Sequence, residues 1–169
     1  MKFIFSLLLS VIVIVAYASP AATVVNQVPT SFPVAAIPMV AGQKIPANTF
    51  KVTEIYAKKG VSHFRDVLVP ANRPFFPNSP NTSYYSTPPS IATSFLLTSF
   101  PGSYFWTKHN PPAGKRFLEI VLQGSETITA GDGTTRTFTA GDMVIYEDST
   151  GSGHTGSGKN GTSVIIALN

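Results

Sequence analysis

LEIVLQGSETITAGDGTTRTFTAGDMVIYEDSTGSGH, from Leu118 to His154, is the stretch on which the fold turns. Runs rich in Ile, Val, Thr and aromatic residues alternate in it with glycine turns, the rhythm of short strands. The spacing predicts strands over Phe117–Leu122, Glu126–Ala130, Thr134–Thr139 and Met143–Tyr146. Asp132-Gly133 between two such runs is a strong hairpin signal, and Ala140-Gly141-Asp142 makes a second turn. The stretch closes on an acidic pair, Glu147-Asp148, followed by a glycine-rich segment, 151–161, expected as a flexible loop that carries His154.

Working outward, Ser163–Leu168 supplies a last strand, and upstream Ile91–Phe100 and Ser103–Asn110 read as two more, parted by Pro101-Gly102. Phe50–Ile55 alternates, with Phe50, Val52 and Glu54 on one face and Lys51, Thr53 and Ile55 on the other. A turn at Lys58-Lys59-Gly60 leads into an extended His63–Pro70. Residues 70–90 hold six prolines, which forbid long regular structure, while Phe75, Phe76, Tyr84 and Tyr85 argue for an ordered loop at a barrel mouth. No amphipathic helix of useful length emerges beyond the N-terminus. Many short strands punctuated by Gly and Pro define an all-β sandwich or barrel.

The N-terminus reads differently. Lys2, an apolar run from Phe3 to Tyr17 and small residues at Ala16 and Ala18 describe a secretory signal cleaved after Ala18. That run of 15 residues is shorter than the roughly 20 a spanning helix needs, so no stable membrane insertion is expected after cleavage. Organisation follows as a signal peptide over 1–18, an irregular Pro-rich lead-in over 19–49 and one β-barrel domain over 50–169. The expected location is extracellular.

Composition bounds the function. The formal charge of +4 falls to +3 without Lys2, and the basic residues are scattered apart from Lys58-Lys59 and Lys115-Arg116. Nucleic-acid binding wants a clustered basic face, so it is not expected. The chain has no cysteine, which excludes disulfides, thiolate chemistry and Cys-based metal sites. Asn81-Thr82-Ser83 and Asn160-Gly161-Thr162 are candidate N-glycosylation sites.

Several phrases resemble the cupin superfamily, over about residues 104–168. Leu122-Gln123-Gly124 looks like the end of the first cupin motif. Gly131-Asp132-Gly133 looks like the hairpin between motifs. Ala140-Gly141-Asp142-Met143-Val144 looks like the start of the second, with Ala140 in place of the usual proline. Glu147–His154 resembles the Asp-Thr-Thr-Gly-Lys-Gly-His phrase of a group of small cupin-like proteins, and Trp106 with His109-Asn110-Pro111-Pro112 resembles their Trp-His and Ala-Pro phrase. The resemblance implies a double-stranded β-helix, a jelly-roll barrel. It also implies homodimerisation.

Many cupins bind a divalent metal through two histidines and a glutamate of the first motif and a histidine of the second. This chain departs from that pattern. Only His109 stands near the first motif's His-x-His, with Thr107 at the alternate position, and the motif's glutamate position falls on Phe117. Glu119 lies two residues on and shares the face of Phe117, and His154 matches the second-motif histidine. His109, Glu119 and His154 are therefore the candidate ligands of a two-His-one-carboxylate site for iron, manganese, zinc or nickel. His63 is the one other histidine that could stand in for a missing ligand. Either Glu147 or Asp148 could orient His154 through a hydrogen bond, whereas Asp148 could instead cap the Ser149-Thr150-Gly151 turn; alternation places the two carboxylates on opposite faces.

Two functions compete. One is a secreted small-molecule binding or interaction barrel with a degenerate metal site; the other is a metal-dependent cupin enzyme of oxygenase or isomerase type.

Overall fold

The computed structural model describes residues 37–71, 73–74, 85–87 and 92–168, and every regular element among them is a strand. The signal peptide, Asn81 and the aromatics Phe75, Phe76 and Tyr84 lie outside the described residues. The described part of the Pro-rich lead-in, 37–49, begins with β1 (Ile37–Pro38), which pairs with β3 rather than standing free. β2 (Thr49–Lys58) and β3 (Val61–Pro70) form a hairpin through Lys59 and Gly60. Both turn residues have positive φ, 51° and 77°, as a tight turn matched to strand twist requires. In the Pro-rich region β4 (Arg73–Pro74) pairs with β5 (Tyr85–Ser86).

Three long strands build the rest: β6 (Ala92–His109), β7 (Arg116–Thr129) and β10 (His154–Leu168). Two short ones, β8 (Thr135–Thr139) and β9 (Met143–Tyr146), pair with opposite halves of β7. The first half of β6, the second half of β10, the first half of β7 and β9 lie side by side as one four-strand layer. The second half of β6, the first half of β10, the second half of β7 and β8 make the other. Two four-strand layers sharing strands that bend from one to the other are a jelly roll. β2 and β3 extend the first layer through a parallel pairing of β2 with β9. The hydrogen-bonded path ends at β1 and β6 without closing.

The bend falls on three neighbouring residues in left-handed conformation. Gly102, Asn160 and Gly124 have φ of 78°, 49° and 74°, and the register of β10 slips beside Asn160 against both partners. Asn160 Oδ1 accepts a 2.9 Å hydrogen bond from the Gly102 N–H. A Cβ on Gly124 would stand 2.3 Å from the Asn160 carbonyl oxygen, so only glycine fits there.

Between the layers Ile55, Val121, Ile128, Phe138, Val144 and Tyr146 pack as one cluster. A second cluster, with Val52, Val67, Leu118, Ile145 and Leu168, lies on the opposite face of the first layer. Val144 and Ile145 are adjacent, point oppositely and are both fully buried, so β9 is apolar on both faces. Each such aliphatic side chain stabilises the fold by about 1.5–3 kcal/mol.

Three expected boundaries shift. Ile91–Phe100 and Ser103–Asn110 are one bent strand, as are Phe117–Leu122 and Glu126–Ala130, because bulges let a strand turn a corner without ending. The expected loop 151–161 is strand from His154 onward. Its glycines serve packing: Gly156 and Gly158 face the rings of Trp106 and Tyr104, where an added Cβ would stand 2.0 and 2.2 Å from ring carbons.

Candidate functional site

A cavity of about 470 Å³ opens between the layers. One wall is aromatic: Phe100, Tyr104 and Trp106 on β6 stack in series, with centroids 4.2 and 5.6 Å apart. Phe117, Leu96, Ile165 and Pro111 add apolar lining. The polar groups in the lining are His109, His154, Glu119, Glu126 and the hydroxyls of Tyr104 and Tyr146.

His154 opens β10 directly opposite His109, the last residue of β6, and their rings meet edge to face with centroids 5.5 Å apart. Asp148 Oδ2 lies 2.9 Å from His154 Nδ1, and the two side chains are 0% and 2% exposed. An ionised carboxylate only accepts, so Nδ1 carries the proton and Nε2 is left as the basic nitrogen. Ser62 Oγ sits within 2.9 Å of the same Asp148 oxygen and 2.8 Å of the Gly153 carbonyl, and it donates its one proton to either. Asn110 Nδ2 donates to the Asp148 carbonyl at 2.6 Å. The Ser152 N–H bonds the Gly60 carbonyl, and the Ser62 N–H bonds Ser152 Oγ. The segment ahead of His154 is thus tied down from both sides. Gly151 and Gly153 are there for close approach: a Cβ would stand 2.0 Å from the Gly60 oxygen at the first and 2.3 Å from the His109 oxygen at the second.

The two acidic neighbours diverge as alternation predicts. Glu147 turns to Arg116, 2.7 Å from Nη1, while Asp148 turns inward. Asp148 therefore serves His154, and no bond from its carboxylate to the 149–151 turn is present. Burial, and then the nearby His154, hold the His109 imidazole below its ordinary pKa, with Asp148 opposing. His109 is thus neutral at pH 7.

Glu119 is 6% exposed and held by two hydroxyls, Tyr146 at 2.6 Å on Oε2 and Ser163 on Oε1. Glu126, 5% exposed, makes a 3.4 Å contact with the Tyr146 oxygen and lies against the Glu119 carboxyl. A phenol has one proton, and Tyr146 gives it to the nearer Glu119. Burial first, then the Glu119 charge, push the Glu126 carboxyl up to about 8. Burial and the two glutamates push Tyr104 up to about 12 and Tyr146 well above the ordinary phenol range.

The candidate metal ligands are brought only partly together. His109 and His154 meet, but Glu119 is engaged with Tyr146 and Ser163. Among the described residues no group of three or more His, Asp or Glu side chains is placed to hold a metal ion. The donor set does not fit a two-His-one-carboxylate centre. His63 lies elsewhere, 2.7 Å from Asp132. Asn160 is exposed at the bend, its Oδ1 already bonded to Gly102.

Sequence reasoning missed Glu126, Tyr146 and Ser62 as site residues. Tyr146 shares the inward parity of Val144 and was legible. Glu126 was not, because the bend at Gly124 switches the inward face of β7 from Glu119 and Val121 to Glu126 and Ile128. Ser62 stands 86 residues from Asp148 in the chain.

Strand pairing and cavity together define an all-β jelly-roll protein with a cavity between its layers. No family model matches the chain, and no curated protein matches it. Solved structures similar to it include protein NMB1881 from Neisseria meningitidis, at 18% identity and a TM-score of 0.34, covering 53% of this chain and 89% of that one. A cupin-2 domain containing protein from Shewanella frigidimarina aligns at 21% identity and a TM-score of 0.32, covering 52% of this chain and 83% of that one. These likenesses are loose, and the fold rests on the strand pairing itself.

Proposed function

We propose that this chain is an exported, cupin-like small-molecule-binding protein whose ligand occupies the cavity between the layers. The observation that carries the reading is the coexistence of an aromatic wall with convergent, buried polar groups in one space of about 470 Å³. Ligand sites are typically apolar concavities of roughly 300–1,000 Å³ with a few placed polar groups. Export is supported by the charged, apolar and small-residue pattern of residues 1–18.

Trp106 is the sole tryptophan and lines the cavity, so its fluorescence reports occupancy. Titration with benzyl alcohol, phenylacetate and benzylamine is expected to give saturable quenching with at least one of them, lost on Ile165→Tyr, which fills the cavity. If none of the three binds below about 10 mM, the reading is overturned.

A further inference from the structure

We infer that the ligand is an organic cation, an ammonium group on an apolar body, seated between the Phe100–Tyr104–Trp106 wall and the Glu119–Glu126 pair. The inference rests on the binding function proposed above and names the ligand's chemistry.

Three independent features converge. First, the cavity holds two carboxyls, Glu119 and Glu126, both more than nine-tenths buried. Both face the single Tyr146 hydroxyl, so they sit side by side as one acidic site. Second, this acidic site has no cationic partner among the described residues. Among them no Lys or Arg lines the cavity, and Arg65, Arg116 and Arg136 are paired with Glu54, Glu147 and Asp66 outside it. His154 turns its Nδ1 to Asp148, and burial holds the His109 imidazole below its ordinary pKa. Glu126 has no close hydrogen bond from a basic or hydroxyl group among the described residues, since Tyr146 lies nearer Glu119 at 2.6 Å than Glu126 at 3.4 Å. A buried acid with unspent acceptors facing an open space is what an N–H or N–CH₃ group of a cation satisfies.

Third, the facing wall suits the same charge. Trp and Tyr rings attract cations through their quadrupoles, Trp most strongly. Gly156 and Gly158 leave room for these rings on the backbone of β10, and any side chain there would displace them. A neutral apolar ligand would use the aromatic wall but leave the carboxyl pair unsatisfied. An anion would meet repulsion from it.

The test is a matched pair of probes on the purified protein, benzyltrimethylammonium and its uncharged carbon isostere neopentylbenzene, read by Trp106 fluorescence. The cation is expected to bind at least about tenfold more tightly, and Glu126→Gln, with its thermal unfolding checked, is expected to shrink that preference. Trp106→Leu, read by calorimetry, is expected to weaken the cation more than the isostere and stands in if E126Q does not fold. Equal or tighter binding of the isostere overturns the inference while leaving the binding function intact. Binding of neither probe overturns the inference, and the binding function falls with it if benzyl alcohol, phenylacetate and benzylamine also fail.

Discussion

His154 Nδ1 lies 2.9 Å from Asp148 Oδ2, and water reaches neither side chain appreciably. The bond sets the imidazole tautomer and directs its basic nitrogen away from Asp148. Asp148 is held in turn by Ser62 on β3 and through its carbonyl by Asn110, so the site histidine is anchored to two distant parts of the chain. Its other oxygen, Oδ1, has no partner among the described residues. A buried carboxylate with one bonded oxygen is costly to disturb on either side.

Asp148→Ala should therefore destabilise the protein by on the order of 3 kcal/mol, since it strands the buried Nδ1 of His154, while Ser62 keeps the Gly153 carbonyl. Asp148→Asn, which keeps an acceptor oxygen, should cost less. Urea unfolding of the two variants checks this, and equal stability of D148A and wild type would contradict the anchoring role.

The Glu126 carboxyl, pushed up to about 8 by burial and by Glu119, makes stability depend on pH. The folded state binds a proton that the unfolded chain has already lost, so the contribution is present below the ordinary carboxylate pKa. It is lost as pH rises towards about 8. Glu54, raised mainly by burial, acts in the same direction, and the lowered His109 acts in the opposite one. Subtracting the stability of Glu126→Gln from wild type isolates the Glu126 contribution. That difference should fall between pH 5 and 8, and a flat difference would rule out the buried acid.

At Gly156 an added Cβ would stand 2.0 Å from the Trp106 ring. Gly156→Ala should cost about 1–3 kcal/mol from overpacking and shift the Trp106 emission to longer wavelength as the ring moves into water. Trp106→Ala should remove most of that penalty in the double variant, because the clash then has no partner. Melting curves of the four proteins in the cycle decide it.

Gly124 combines a positive φ with a carbonyl oxygen in the space of a Cβ. Gly133 has a similar φ of 84° but open space around it. Gly124→Ala should lower the melting temperature well beyond Gly133→Ala, for which backbone strain of about 1–2 kcal/mol is the whole cost. Equal shifts would mean that the bend at Gly124 is not a close backbone contact.

Incubation with iron, manganese, zinc or nickel followed by dialysis should leave below about 0.1 metal per chain, because two histidines without a free carboxylate make a weak site. Stoichiometric retention, abolished by His154→Ala, would reinstate a metal centre.

By itself the sequence determined that this protein is all-β, where most strands lie and which tight turns join them. Those features depend on neighbours in the chain: Gly133 and Lys59-Gly60 take positive φ, and Met143–Tyr146 has the apolar run of a buried strand. It also placed His109 and His154 as candidates for one site and put Glu147 and Asp148 on opposite faces. Tertiary structure decided the chemistry. Of the left-handed bends at Gly102, Gly124 and Asn160, those at Gly124 and Asn160 invert which residues face inward, so Glu126 enters the cavity although simple alternation from Glu119 would turn it out. The same bends let three strands serve both layers, which no local pattern encodes. Whether the glycines of 151–161 meant flexibility or close packing depended on what lay across from them, and there the rings of Trp106 and Tyr104 had the answer.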